Sequence, residues 1–297
     1  MYTNIKFWIA TCQELKINYE IVHPSGNLLK IKLGEQYYFF ADTRTPFNSQ
    51  SLSVVLKDKE YTYCLLKDKI NMPDTLGFVN PFCQEKYQQY LTYKSLEAIE
   101  QKISSSLQFP LIIKQNSGSQ GKNVFLCQKQ EQIPNYLKII FNIQSCNFDP
   151  IALAQQYIQI KYEYRAIFFD KKLVLLYKKD TSNANFIDNL SPLHWEGSKA
   201  CYIDDSYLKS TIEEFVKPVF EAIPLNYGGF DIIIDEKDQY WLLEINSSPS
   251  YNVFANDNDP RILLDMFKYI LIELNKNNYG VSSKSCSDLP INQTKTI

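Results

Sequence analysis

The chain has 297 residues, 45% of them hydrophobic and 22% charged, with a formal net charge of -2. That balance excludes a global attraction to nucleic acid or to an anionic membrane, and no apolar run approaches the length that spans a bilayer. Seven scattered cysteines with no Cys-x-x-Cys pair, beside only two histidines, argue against a zinc cluster and fit reduced thiols in the cytoplasm.

The length is that of roughly two domains. Met1 to Thr11 is too short and too broken by Asn4 and Lys6 for a signal peptide. Residues 5–16 read as a short helix. Leu28–Lys32 and Gln36–Phe40 read as strands joined by a Gly34-Glu35 turn. Ser49–Leu56 and Glu60–Ile70 have helical spacing, the second stopped by Met72-Pro73, which disfavours helix before the proline. Tyr87–Ser105 reads as one more helix, rich in Gln, Glu and Lys.

Leu111–Lys114 and Asn123–Cys127 are strands on either side of a small polar loop. Residues 151–158 and 162–169 have strand character, and Leu173–Tyr177 follows after an Asp170-Lys171-Lys172 turn. Ser206–Ile223 and Asp259–Leu274 read as amphipathic helices, and the polar tail 276–297 reads as disordered. Hairpins interleaved with helices indicate an α+β protein.

Two stretches carry chemistry. In the first, Lys114 ends an apolar strand and leads into Ser117-Gly118-Ser119-Gln120-Gly121-Lys122, a loop whose backbone N–H groups could wrap phosphate. It is not a P-loop, because Asn116 and Asn123 stand where Gly and Ser or Thr are needed. An ordinary hairpin turn is the plainer account of the loop alone. In the second, Gly228-Gly229-Phe230-Asp231-Ile232-Ile233-Ile234 precedes a charged turn and Tyr240-Trp241-Leu242-Leu243-Glu244-Ile245-Asn246-Ser247-Ser248-Pro249. Period-2 geometry puts Glu244 and Asn246 on one face, and a hairpin brings Asp231 alongside. Buried carboxylates need a positive partner, and two carboxylates plus an amide suit a hard divalent cation. The alternative is a hairpin whose acids face water.

Lys114 with Ser117–Lys122, then Asp231, Glu244 and Asn246 in that order, resembles the ATP-grasp superfamily of carboxylate–amine ligases, closest to its ribosomal-protein glutamate ligase, cyanophycin synthetase and glutathione synthetase branches. The resemblance covers about residues 50–272. It implies an ATP-grasp fold: two α/β subdomains whose antiparallel sheets clasp ATP, preceded by a short α/β segment. The expected organisation is residues 1–50 as a shortened N-terminal segment and 51–275 as the ATP-grasp domain. Within the latter, about 108–158 would form the lid subdomain and about 159–275 the catalytic one, with 276–297 as the tail.

The same resemblance implies roles. Lys59 and Lys114 would contact ATP phosphates, and Ser119, Gln120 and Gly121 would form the lid. Gln155, Gln156, Tyr157 and Ile158 would be the hinge that reads adenine, with Gln where many relatives have Glu. Glu163 would bind ribose, Arg165 would meet the phosphate or acyl phosphate, and Lys178 would be an extra phosphate ligand. A cross-strand Glu163–Arg165 ion pair is the plainer account of those two. Asn189 would lie in the loop that meets the acceptor. Asp231, Glu244 and Asn246 would hold Mg²⁺, with Mn²⁺ as an alternative ion. Arg165, Lys114 and Asn246 would carry catalysis.

The implied reaction is ATP-dependent, ADP-forming ligation of a carboxylate to an amine, with amino-acid, peptide or protein substrates, no nucleic acid or membrane partner, and homo-oligomerisation left open. The competing readings are an ATP-grasp phosphotransferase and a non-catalytic ATP-binding protein. The substrates, and the part played by Ser191–Lys199, are not legible in the sequence.

Overall fold

The computed structural model describes residues 1–185 and 190–281. Asn189 and the tail from 282 onward lie outside the described residues. The chain divides into two compact units, one made of residues 1–43 together with those from Pro260 onward, the other of Arg44–Asp259.

In the smaller unit, helix α1 (Thr3–Leu15) buries Ile5, Trp8 and Cys12 along one stripe. Strands β1 (Tyr19–Ile21), β2 (Leu28–Leu33) and β3 (Gln36–Ala41) form an antiparallel sheet in that order. β2 alternates strictly, with Leu29, Ile31 and Leu33 inward and Lys30 and Lys32 outward. Trp8 packs against Phe40 and edge-on to Phe267, the latter from the last helix, α9 (Pro260–Val281). That helix runs past Leu274, where the sequence reading ended it, to Val281.

The larger unit begins with α2 (Gln50–Lys57) and α3 (Lys59–Leu66). Asp58 separates them: it is the last cap of α2, and its carboxylate accepts the Tyr61 N–H at the start of α3. Lys59 is therefore the first helical residue of α3. The strands that follow are β4 (Thr75–Val79), β5 (Leu111–Gln115), β6 (Val124–Cys127) and β7 (Ile151–Gln156), which pair antiparallel in the order β4-β7-β5-β6. Helices α4 (Glu85–Gln88), α5 (Leu96–Ser106) and α6 (Ile133–Ile140) complete this part. One face of its sheet is closed by Ile99, Ile103, Ile133 and Leu137 over Leu111, Ile113, Ala152 and Ala154.

A five-stranded antiparallel sheet follows. Its strands are β8 (Ile160–Phe169), β9 (Lys172–Asp180), β10 (Lys199–Tyr202), β11 (Tyr227–Asp235) and β12 (Tyr240–Asn246), in the order β10-β9-β8-β11-β12. Helix α7 (Ser206–Ala222) lays Ile212, Val216 and Val219 over Tyr164, Ala166, Phe168, Phe230 and Ile232, joined by Leu52, Leu56 and Leu66 from α2 and α3. Helix α8 (Asn252–Asp257) lies beside β10, where Asp257 and Asn258 accept the Ala200 and Tyr202 N–H groups. Glu163, Arg165, Lys179 and Asp231 come from the opposite face of this sheet.

The α+β expectation of antiparallel hairpins and helices holds. The single helix expected over 87–105 is instead two, because Ser95 caps a new start by accepting the Ala98 N–H. β1, β4, β10, α6 and α8 escaped the sequence reading. Each is six residues or fewer except α6, which opens with Pro134 in its first turn.

Candidate functional site

β11 and β12 pair in register, with Asp231 opposite Glu244 and Gly229 opposite Asn246. Cross-strand partners share a face, so Asp231, Glu244 and Asn246 lie together, and the Asn246 amide donates to Glu244 Oε1 at 3.0 Å. On its other side β11 meets β8, with Asp231 opposite Arg165. The guanidinium binds Asp231 in two-pronged fashion, Nε to Oδ1 at 2.5 Å and Nη2 to Oδ2 at 2.7 Å. Lys179 Nζ reaches the same Oδ1 at 3.0 Å and Glu163 Oε1 at 2.5 Å. Two cations and two carboxylates thus form a balanced quartet, with Glu163, Lys179 and Asp231 buried and Arg165 half-buried.

Burial opposes the charge of Asp231, but Arg165 and Lys179 outweigh it and hold its carboxyl well below the usual carboxylate range. Burial raises Glu163, against the pull of Lys179. Burial likewise opposes Lys179 and Arg165, and the neighbouring carboxylates raise both nonetheless.

Gly229 makes room for this arrangement. A Cβ there would sit 3.1 Å from Arg165 Cδ, and equally close to Ile167 and Pro249. The bare backbone leaves room for the arginine side chain beside Asp231.

The four-stranded sheet contributes the second half of the site. Lys114 Nζ donates to Gln155 Oε1 at 2.7 Å, and both residues are buried. Burial and the nearby Lys59 lower the Lys114 ammonium to about 8, with Glu244 pulling the other way. Lys59, at the start of α3, joins the two halves: its Nζ donates to the Gly118 carbonyl at 2.7 Å and lies 3.5 Å from Glu244 Oε2. The loop that carries Gly118 is shaped by positive φ at Gln120, Gly121 and Asn123, and by Asp149 accepting the Ser117 N–H at 2.7 Å. Ser119 is exposed in it, and its carbonyl accepts the Lys122 N–H.

Gln156 Oε1 accepts the Asp74 N–H at 3.3 Å, and Tyr157 and Ile158 follow as half-buried residues beyond the strand end. Lys178 stands apart. Tyr164 pairs with Lys178 and Arg165 with Tyr177, so Lys178 is on the opposite face from Arg165, 3.1 Å from Asp180 and over the Tyr162 ring. The residues brought together are therefore Lys59, Lys114, Glu163, Arg165, Asp231, Glu244 and Asn246. Lys179 and Gly229 belong with them, and the sequence pattern assigns neither a role. Period two along β9, counted from Tyr177, was the signal for Lys179, but it needs the strand register to be read.

Among the described residues no group of three or more His, Cys, Asp or Glu side chains gathers to hold a metal ion. Glu244 and Asn246 offer oxygen donors from neighbouring positions of one face, and Asp231 beside them would share with a cation the two oxygens that already accept from Arg165 and Lys179. That set fits a hard cation which completes its shell with oxygens from outside the protein.

Comparison with known proteins gives the family and the fold. Residues 64–270 match the family model described as the RimK-like ATP-grasp domain. A D-alanine–D-alanine ligase of Buchnera aphidicola subsp. Schizaphis graminum is 29% identical over 148 residues, 48% of this chain and 45% of its own. An uncharacterized protein of Mycoplasma genitalium is 26% identical over 152 residues, 51% of this chain and 48% of its own. The solved bifunctional glutathione synthetase of Pasteurella multocida superimposes with a TM-score of 0.56 at 14% identity, over 92% of this chain and 44% of its own. This chain spans about half the length of the curated relatives it matches.

Proposed function

The chain belongs to the RimK-like ATP-grasp family, and we propose that it is an ADP-forming ligase that joins a carboxylate to an amine through an acyl phosphate. The observation that carries this reading is the link made by Lys59 between the Gly118 loop and Glu244, which draws both halves of the site onto one region. Cations and oxygen donors gathered in one region are what a nucleoside triphosphate and its metal ion require.

In this reading the backbone of Gln155–Ile158 holds the base, and Lys59 and Lys114 bind the phosphates. Asp231, Glu244 and Asn246 would hold Mg²⁺, which when bound neutralises charge on the β- and γ-phosphate oxygens. A carboxylate oxygen of the donor takes the γ-phosphoryl group and ADP leaves. Arg165, aimed by Asp231, stabilises the charge on that acyl phosphate. The loop around Gly118–Gly121 keeps water out until the amine nitrogen attacks the carbonyl carbon. The C–O bond then breaks, phosphate leaves with the carboxylate oxygen, and the amine loses a proton. Lys179 holds Glu163 and Asp231 in register with each other.

The substrates we infer are an amino acid, peptide or protein at each end, supported by the D-alanine–D-alanine ligase among the relatives. The free cysteines among the described residues are consistent with a cytoplasmic protein, and no described helix is long and apolar enough to cross a membrane.

The test is phosphate release from Mg²⁺-ATP with pooled amino acids and peptides, read together with ATP binding. Wild-type protein should release phosphate, Glu244→Ala should abolish release, and Asn246→Ala should weaken it strongly. Wild-type rates in both variants would overturn the metal assignment. Absence of both phosphate release and ATP binding in the wild type would overturn the reading itself.

A further inference from the structure

Three buried side chains form a directed relay across the four-stranded sheet. Thr75 Oγ1 donates to the Pro73 carbonyl at 2.9 Å. Gln155 Nε2 donates to Thr75 Oγ1 at 2.8 Å, and Lys114 Nζ donates to Gln155 Oε1 at 2.7 Å. Every direction follows from the chemistry of the ends. A carbonyl only accepts and an ammonium only donates, so the hydroxyl must give its proton to Pro73 and accept from the amide. The amide is thereby oriented with its oxygen toward Lys114. Thr75, Gln155 and Lys114 are each no more than 8% exposed, so water does not offer substitute partners.

We propose that Thr75 and Gln155 are positioning residues that hold Lys114 by a neutral acceptor, so that its ammonium forms no ion pair with the residue that holds it and stays available to an ATP phosphate. The function of the Gln155 side chain is then toward the phosphates, whereas its backbone lies in the segment assigned to the base. A carboxylate in place of the amide would hold the lysine as firmly but would satisfy its charge internally and compete with the phosphate. A valine in place of Thr75 keeps the shape but removes the hydroxyl, leaving the amide free to turn its N–H groups toward the ammonium. The inference rests on Lys114 being a phosphate ligand, as proposed above.

The test compares ATP, which carries phosphates, with adenosine, which does not, using full-length Thr75→Val, Thr75→Ser and Gln155→Glu proteins and calorimetric titration. Thr75→Val should weaken ATP about tenfold, the scale of losing a hydrogen bond to a charged group, and leave adenosine within about twofold. Thr75→Ser should restore ATP affinity. Gln155→Glu should weaken ATP selectively as well, which keeps the test decisive if the valine protein does not fold. Equal loss of ATP and adenosine affinity in Thr75→Val, or wild-type ATP affinity in Gln155→Glu, would overturn the positioning role. A wild-type protein that binds adenosine but gains nothing from the phosphates would instead overturn Lys114 as a phosphate ligand, and the relay's role with it.

Discussion

Lys179 is the residue whose removal should be felt most. Its ammonium serves two carboxylates that are both buried, so Lys179→Met leaves negative charge without a partner. Breaking such a group typically costs about 3–5 kcal/mol, and denaturant unfolding of the variant should show a loss on that scale. Adding Glu163→Gln should recover part of it, because the remaining Arg165–Asp231 pair is balanced. Lys114 makes a second prediction. Its ammonium is lowered to about 8, whereas the unfolded chain keeps that proton up to about 10.5. The unfolded state therefore binds more protons between those values, so this group raises the stability of the nucleotide-free protein as pH climbs through that window. An arriving phosphate favours the charged form, so ATP binding at pH 8.5 should take up protons, and its calorimetric heat should change with the ionisation enthalpy of the buffer. Identical heats in two such buffers would contradict this. Asp231, Glu244 and Asn246 were legible as a set because their spacing obeys period two. Lys179 was not, since Lys178 and Lys179 look alike until the register of β9 on β8 is known.

At the scale of elements, the hairpin β5–β6 shows how a loop with ordinary composition becomes specific. A Cβ on Gly118 would fall 2.0 Å from Gln115 Nε2, and Gln115 is itself held by Asn123. Gly118→Ala should therefore shift the loop and loosen its carbonyl from Lys59. The KM for ATP should rise on the order of fivefold, equivalent to about 1 kcal/mol of backbone distortion, while the melting temperature changes little. An unchanged KM would show that the Lys59–Gly118 contact has no part in nucleotide binding. The elements that the sequence revealed were those with an apolar helical stripe, such as α1 and α7, or a continuous apolar run, such as β11. The ones it hid depend on partners supplied from far along the chain. β10 is held on one side by β9 and on the other by the side chains of Asp257 and Asn258, and no pattern within its four residues announces that. α6 carries Ile133, Leu137 and Ile140 at proper helical spacing, but its brevity and its proline mask the signal.

For the molecule as a whole, ligand binding and stability should be linked. Mg²⁺-ATP at about one hundred times its Kd should stabilise the folded state by about 2.7 kcal/mol, visible as a raised melting temperature that Glu244→Ala diminishes. The family was legible because two separated motifs occur in the right order, and the match over residues 64–270 bears this out. Which molecules the proposed ligation would join was not legible, because no residue pattern in the chain marks an acceptor. The chemistry of the joining can be tested without that knowledge. Incubation with Mg²⁺-ATP and a pool of amino acids and peptides labelled with ¹⁸O in their carboxyl groups, followed by mass spectrometry of the phosphate released, reads the central claim directly. An acyl phosphate predicts phosphate carrying one ¹⁸O atom from the substrate, formed together with ADP and a coupled product; phosphate released without the label would contradict it.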